Sequence, residues 1–480
     1  MAGDDRLERL AADLVGNDAE LVGPFGRKKL VYADYVASGR ALLSVEHFVL
    51  AKVLPFYANS HTEASYCGGF ITGLRQAARN AIADCCEADQ RYAVIFAGSG
   101  ATAGLNRLVN LFGIQAALGA GTVPRVVIGP YEHHSNILPW RESGAEIVEI
   151  PEAVTGGPDL AQLDAALAGA GGRPVICALS AASNVTGIIA DVASITRQVK
   201  AAGARIIWDY AGAGPYLPIA MEPAPGVEID AIVISPHKFI GGPAASGVLI
   251  VRRDAVQTET PTWPGGGTVK FVSPTGHDYS DRLEGREEAG TPNVIGDIRA
   301  GLAFLVKEAI GEGAMSARNA ELSARALSAW SKVDRIELLG NTRADRLPII
   351  SFRIGDGKGG YVHQQLVTRM LSDRFGIQAR GGCACAGPYV HRLLDIDEAA
   401  SEDLRRAIAR GEELRKPGFT RLNFSVLLSD EKVQYILDSV AQLARDATDF
   451  LDCYAVDSRR AVFYPRAEIA GQDRLVSEVS

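Results

Sequence analysis

The 480-residue chain has no run approaching the roughly eighteen uninterrupted apolar residues that a membrane-crossing helix needs. It also lacks an excess of positive charge. Forty-nine Lys and Arg against 57 Asp and Glu leave a formal net charge of −8, so neither nucleic acid nor an anionic membrane surface is an expected partner. Cysteine is sparse and odd in number, seven in all, which does not suit a disulfide framework. Cys383 and Cys385 form a C-x-C without the second pair or the histidines that zinc ligation requires, so no metal is expected. The first residues, Met1-Ala-Gly-Asp-Asp-Arg6, carry charge and no apolar signal core. A cytoplasmic protein is expected. Internal repeats and low-complexity tracts are absent from the sequence.

What is present is a chain 47% hydrophobic with 51 glycines and 22 prolines, enough for a large core and more than one domain. Short apolar runs at 92–96, 125–128, 146–150, 175–179, 205–208, 231–234 and 247–251 read as buried strands, most of them separated by helical periods. That alternation predicts an α/β fold with a mainly parallel sheet between helices. Before it come a predicted helix over 7–22, a strand from Leu30 into a turn at Gly39, a helix over 42–56 and a polar loop, 57–65, containing His61. Residues 252–295 lose all period. A long helix over 298–333 then leads to a smaller α+β domain with strands near 336–339, 347–354, 377–380 and 421–426 and a helix over 431–451. The predicted division is 1–45 as an N-terminal segment on the small domain, 46–300 as the large domain, 301–455 as the small C-terminal domain and 456–480 as a tail.

The chemistry gathers at predicted strand ends, where open α/β sheets bind ligands. After 231–234 come Ser235, His237 and Lys238, then the breakers Gly241-Gly242-Pro243. A lysine placed there suits Schiff-base chemistry on a phosphate-bearing aldehyde, as pyridoxal 5′-phosphate offers. Asp209 ends another strand and can keep a ring nitrogen protonated. After 92–96, Gly98-Ser-Gly100-Ala101-Thr102 opens a helix, which points backbone N–H groups at an anion. Thr102, Ser235, His237 and the Gly100-Ala101 turn are therefore phosphate donors. Gly98, Gly100 and Ala103 also fit a loose dinucleotide fingerprint, but 118–124 contains no acid for a ribose, which disfavours a nicotinamide site. His133 or His134 can stack on a cofactor ring.

His237-Lys238 after an apolar strand and a serine, Asp209, Glu132-His133 and Asn184 resemble the class V aminotransferases of the fold-type-I pyridoxal-phosphate enzymes. Glu132 to Trp140 (EHHSNILPW), Ala289-Gly-Thr-Pro-Asn293 and Arg380-Gly-Gly-Cys-Ala-Cys385 are similar to the cysteine desulfurase and selenocysteine lyase branch. The resemblance runs from about Tyr32 to Ser429. It implies a seven-stranded-type, mainly parallel sheet. It further implies that His133 stacks on the cofactor and shuttles protons, and that Asn184 contacts the ring hydroxyl and the substrate carboxylate. Thr291 would reach the phosphate of a neighbouring subunit in a homodimer. Arg421 would clamp the α-carboxylate, with Ala37, His61 and Arg380 also lining the substrate site. Cys385 occupies the persulfide position. The implied reaction takes L-cysteine to L-alanine, with Lys238 removing the α-proton and the sulfur passing to Cys385 and on to an acceptor protein. Two departures stand out: Gly212 replaces the usual glutamine three residues after Asp209, and Cys383 joins Cys385 on a loop that usually has one cysteine. Either thiol as acceptor, a transient disulfide, and two small buried residues all remain open. The alternatives are a carbon–sulfur lyase, epimerase or other class V enzyme without a catalytic cysteine and, more remotely, a non-catalytic scaffold.

Overall fold

Seven strands organise the first part of the chain: β1 (Tyr92–Phe96), β2 (Arg125–Ile128), β3 (Glu146–Glu149), β4 (Val175–Ser180), β5 (Arg205–Asp209), β6 (Ala231–Ile234) and β7 (Val248–Arg252). They form one sheet in the order β1-β7-β6-β5-β4-β2-β3. All pairings from β6 to β3 are parallel, whereas β7 is antiparallel to both β1 and β6. Because β7 is antiparallel to both of its neighbours, β1 runs with the parallel set and its carboxyl end reaches the same edge. β1 and β6 are buried along their whole length, as expected of strands covered on both faces. The mainly parallel fold-type-I sheet expected from the sequence is therefore present.

The computed structural model describes residues 2–60 and 63–466. The described residues divide into two compact units, one falling within 1–15, 35–320 and 343–347, the other within 16–34, 321–342 and 348–466. Among the described residues no helix is long and apolar enough to cross a membrane.

In the first unit, α1 (Tyr66–Cys85), α2 (Ala101–Leu111) and α3 (Val294–Ile310) frame the sheet. α1 is capped by Ser65, whose hydroxyl accepts from Gly68 N at 3.1 Å, a contribution of about 1 kcal/mol. α1 and α3 approach so closely that a Cβ at Gly301 would lie 2.7 Å from Ala78 Cα. The helix expected over 298–333 is two helices, α3 and Glu312–Trp330, because Gly311 breaks the run at φ +85°. The helix expected over 7–22 is confined to Ala2–Ala12, and Glu20–Gly23 pairs with Gly26–Lys29 as a hairpin after the Gly16-Asn17-Asp18 breakers. Residues 252–295 hold a hairpin of Val269–Val272 with His277–Tyr279 and a short helix, Leu283–Glu287.

The second unit contains β8 (Ile336–Leu338), β9 (Ile349–Ile354), β10 (Arg380–Gly382) and β11 (Phe419–Asn423), ordered β8-β9-β11-β10 and wholly antiparallel. Its core packs Trp330 against Phe352 and Phe424, with centroids 5.5 and 6.0 Å apart. Ile377–Gln378 pairs in parallel with Val31–Tyr32. Part of the expected tail is structured: Tyr454–Asp457 pairs with Val462–Pro465, and Phe463 packs on the unit's core. Residues 467–480 lie outside the described chain.

Two ion networks tie the 252–293 excursion to the sheet. Glu288 accepts from Phe96 N at 2.8 Å and binds Arg79 through both oxygens, at 2.8 and 3.0 Å. Arg75 joins Glu288 to Asp297. Burial raises the Glu288 pKa, but Arg79 and Arg75 outweigh it and hold the carboxyl below its usual range. The adjacent Glu287 faces the other way, with its carbonyl accepting from Arg107 of α2 at 3.2 and 3.3 Å. Changing Glu288 to Gln leaves two enclosed guanidinium groups with one carboxylate, so urea denaturation is expected to show a loss of about 3–5 kcal/mol.

A cavity of about 690 Å³ lies beside Cys85, Tyr216, Phe304 and Lys307 in the same unit. The Lys307 stem is partly exposed while its ammonium is enclosed, donating to the Leu217 carbonyl and lying 5.6 Å from the Phe239 ring centre. Burial pushes this amine down to about 8. Between pH about 8 and 10.5 the unfolded chain then binds more protons, so wild-type stability climbs with pH across that window and carries its full penalty below it. Lys307→Met is expected to be more stable by roughly 2 kcal/mol at pH 7, allowing for the lost hydrogen bond, with the gain gone by about pH 10.5. Urea denaturation at pH 7 and at pH 10 measures the difference.

Candidate active site

The carboxyl edge of the first unit's sheet collects most of the polar residues predicted from the sequence. β1 leads through Ala97 and Gly98 (φ +57°) into α2. Ala97 N donates to Gly247 O at 2.7 Å and Gly247 N to Gly98 O at 2.8 Å, clamping the turn to the start of β7. A Cβ at Gly247 would lie 2.5 Å from Ala97 O and 2.6 Å from Gly100 N. Only glycine fits there.

At the first turn of α2, Ala101 N donates to Ser235 Oγ at 3.0 Å across the end of β6. Gly100 lies against the same group: its missing Cβ would sit 3.1 Å from His237 Cε1 and 3.2 Å from Ser235 Oγ. His237 Nδ1 is buried and takes no hydrogen bond from the described residues. Burial and then the charge of Lys238 lower the His237 pKa, so the ring is neutral near pH 7. Thr102 is exposed, its hydroxyl 2.7 Å from Ser135 Oγ.

Lys238 ends a single 3₁₀ turn, Pro236–Lys238, in which its amide donates to Ser235 O at 3.0 Å. On the neighbouring strand β5, Asp209 is buried and accepts from Ala211 N at 2.7 Å. Burial raises its pKa, opposed by that amide and by the Lys238 charge. The turn carrying Ala37 is stitched alongside, since Gly39 N donates to His237 O at 3.0 Å. Asn184 is half-buried after β4. A Cβ at Gly212 would meet Asn184 Cβ at 3.4 Å and Ala182 O at 3.7 Å, ordinary contacts, so crowding does not explain the absent side chain.

His133 is fixed by Ser135, whose N–H donates to Nδ1 at 3.1 Å. Nδ1 is therefore the acceptor and Nε2 carries the ring proton. The loop itself hangs on Glu132. This buried carboxylate accepts from Ser180 N at 2.8 Å, from Ser180 Oγ at 2.7 Å and from Asn136, whose carbonyl takes the Trp140 indole N–H at 3.0 Å. Burial pushes Glu132 up to about 8 against the pull of those donors. Its role as anchor escaped the sequence reading, although Glu132, Asn136 and Trp140 recur at intervals of four. Thr291 is exposed on the loop before α3. His61 lies outside the described residues.

The remaining predicted residues belong to the second unit. Arg421 is buried on β11, directly opposite Arg380 of β10. Asp34 reconciles the two cations, accepting from Arg421 Nη2 at 3.0 Å and from Arg380 Nε at 3.1 Å. No local signal marked Asp34. After β10, Ala386 N donates to Cys383 O at 3.1 Å around Ala384 (φ +50°) and Cys385 (φ +54°). Two positive φ values at the central positions make this a type I′ turn. Neither residue is glycine, so the turn is strained by roughly 1–2 kcal/mol at each position. Cys385 is exposed and Cys383 half-buried.

Sheet order, the reversed β7 and the lysine and acid at adjacent strand ends define a class. The aminotransferase class-V family model matches residues 31–435, and the chain belongs to that family of enzymes. Among curated proteins it is 31% identical over 394 residues to a cysteine desulfurase of Pectobacterium atrosepticum, covering 80% of this chain and 90% of that protein. It is likewise 31% identical over 366 residues to a cysteine desulfurase of Enterobacter sp., covering 75% and 85%. Among solved structures, an apo cysteine desulfurase from Thermococcus onnurineus superposes with a TM-score of 0.70 at 23% identity, covering 87% of this chain and 95% of that one. The Escherichia coli cysteine desulfurase in its S-sulfonic acid form gives 0.70 at 22%, covering 92% and 98%. These last two establish the shared fold.

Proposed function

We propose that the protein is a cysteine desulfurase that binds pyridoxal 5′-phosphate and converts L-cysteine to L-alanine, leaving the sulfur as a persulfide on Cys385. The observation that carries this is the meeting of Lys238, Asp209 and the Ala101–Ser235 turn at adjoining strand ends. The residues fit the cofactor. The buried, unbonded His237 Nδ1 beside a Cβ-free Gly100 is a ready anion cradle. Lys238 would attach the aldehyde, Asp209 would pair with the ring nitrogen, Asn184 would meet the ring hydroxyl, and Thr102, Ser235, His237 and the Gly100–Ala101 turn would hold the phosphate. When bound, the cofactor supplies a sink for electrons released at the substrate α-carbon.

The chain's own groups do the rest. Arg421, its planar fork oriented by Asp34, binds the α-carboxylate, helped by Asn184, Arg380, Ala37 and His61. Lys238 takes the α-proton as general base. His133 covers the cofactor ring and holds or releases a proton at Nε2. The Cys385 thiolate attacks the substrate sulfur, so an S–S bond forms as the substrate's C–S bond breaks. Thr291 completes the phosphate site of a second copy, which makes the working unit a homodimer. The persulfide sulfur then passes to an acceptor protein, in the cytoplasm.

Incubation with L-cysteine, followed by separate assays of alanine, sulfide and pyruvate, tests the reading. Alanine with sulfur recovered on the protein or as sulfide is the expected result. Pyruvate as the main product would instead indicate β-elimination, and neither product would overturn cysteine as the substrate.

A further inference from the structure

Arg421 and Arg380 stand directly opposite each other on β11 and β10. Facing residues of an antiparallel pair lie about 4.5–5.5 Å apart at Cα and share one side of the sheet, so two guanidinium groups there repel. Asp34 answers both with one carboxylate. Its Oδ1 accepts from Arg421 Nη2 at 3.0 Å and its Oδ2 from Arg380 Nε at 3.1 Å. The main chain around it is fixed on both sides. Ala33 N donates to Gln378 O at 2.9 Å, Asn423 N donates to Ala33 O at 2.8 Å, and the Tyr32 hydroxyl donates to Asp34 O at 3.2 Å. The three side chains differ in exposure, with Arg421 at 4%, Asp34 at 12% and Arg380 at 50%. Arg421 and Asp34 are thus enclosed, whereas Arg380 is open to a ligand and keeps both terminal nitrogens without a partner among the described residues.

The trio carries one net positive charge, and a single ligand carboxylate neutralises it. A second carboxylate on the same ligand finds no uncompensated cation there and is repelled by Asp34. We propose that Asp34 is a specificity-determining residue: it restricts this anion site to amino acids with one carboxylate and a neutral side chain, and excludes those whose side chain carries a second anionic group. This rests on the desulfurase reading above, in which Arg421 and Arg380 receive the α-carboxylate. L-Cysteine with its thiol protonated belongs to the accepted class, and L-aspartate to the excluded one. Without Asp34 the same two arginines would suit a dianion, since each guanidinium can take a carboxylate through paired N–H bonds. The selectivity therefore comes from a repulsive group placed beside the attractive ones.

Succinate and succinamate share one skeleton and differ by one charge at neutral pH. Their binding to full-length holoenzyme is measured by calorimetry at low salt, beside alanine formation from L-cysteine. The wild type is expected to bind succinamate at least about tenfold more tightly than succinate. Asp34→Asn keeps the size and a carbonyl acceptor, and is expected to shift that preference toward succinate by about tenfold or more. Added salt should shrink the shift. The double variant Asp34→Asn, Arg380→Gln returns the site to one net positive charge, and the preference for succinamate is expected to return with it. An Asp34 that only supports the fold would weaken both ligands by the same factor in Asp34→Asn, and that result overturns the proposal. A wild type that binds the two ligands equally also overturns it, whether or not the variants fold. Alanine formation reports separately: a wild type that prefers succinamate but forms no alanine keeps the charge rule and removes the desulfurase reading.

Discussion

Lys238→Ala is expected to lower alanine formation from L-cysteine by at least about 10⁴-fold, because on the proposed reading it removes both the group that attaches the cofactor and the base that takes the α-proton. The loss should not be one of folding. The turn is held by main-chain bonds, Lys238 N to Ser235 O and Phe239 N to Pro236 O, which the substitution leaves in place. The visible absorbance of the lysine-bound cofactor should vanish while far-ultraviolet circular dichroism stays unchanged. A second effect reaches Asp209. The Lys238 charge opposes burial at that carboxyl, so its removal should raise the Asp209 pKa further and weaken any partnership with a protonated ring nitrogen. Added small amines would then restore the missing base without restoring the missing charge, and rescue should stay far short of wild type. A variant retaining a tenth of wild-type activity would remove Lys238 from the mechanism.

Cys385→Ser carries the next largest expected effect, a fall of about 10³-fold in alanine formation, since a serine hydroxyl lacks the nucleophilicity of a thiolate toward sulfur. Serine is nearly isosteric, and the Ala386 N to Cys383 O bond that closes the turn is main-chain, so the loop should persist. The cofactor's absorbance should be retained, in contrast to Lys238→Ala. That pairing of results separates loss of sulfur acceptance from loss of the cofactor. A class V enzyme that eliminates or epimerises without a catalytic cysteine would show the opposite, with turnover nearly intact in Cys385→Ser.

The strand ends were legible because their signals are local. Four buried apolar residues followed by Ser235, His237 and Lys238 mark β6 from one short window, and Gly98 and Gly100 mark the turn after β1 in the same way. The break at Gly311 was equally local and was read through, because the helical period resumes immediately after it. The anchors are another matter. Arg421 and Asp34 are 387 residues apart, and Arg75 and Asp297 are 222 apart. Their pairing follows from the fold and leaves no periodicity behind. The hairpin of Tyr454–Asp457 with Val462–Pro465 was missed for a related reason: exposed positions alternate with partly buried ones, and the packing of Phe463 decides the matter. Glu132 lay in view at its four-residue spacing from Asn136, but its anchoring to Ser180 crosses from β2 to β4.

The reversed strand β7 bears on the order in which the molecule becomes competent. β1 is an edge strand whose single neighbour, β7, is synthesised some 150 residues later. Until β7 docks, Ala97 and Gly98 have no partner at Gly247, and the turn that precedes α2 is an unpaired flap at a sheet edge. Contacts of such sequence separation form slowly, since the closure entropy must be met before they give anything back. The remaining strands can assemble in chain order as each leaves the ribosome, but the proposed anion cradle waits for residue 252. A nascent chain halted before that point would display Lys238 and Asp209 on a nearly finished sheet with the proposed phosphate end still open.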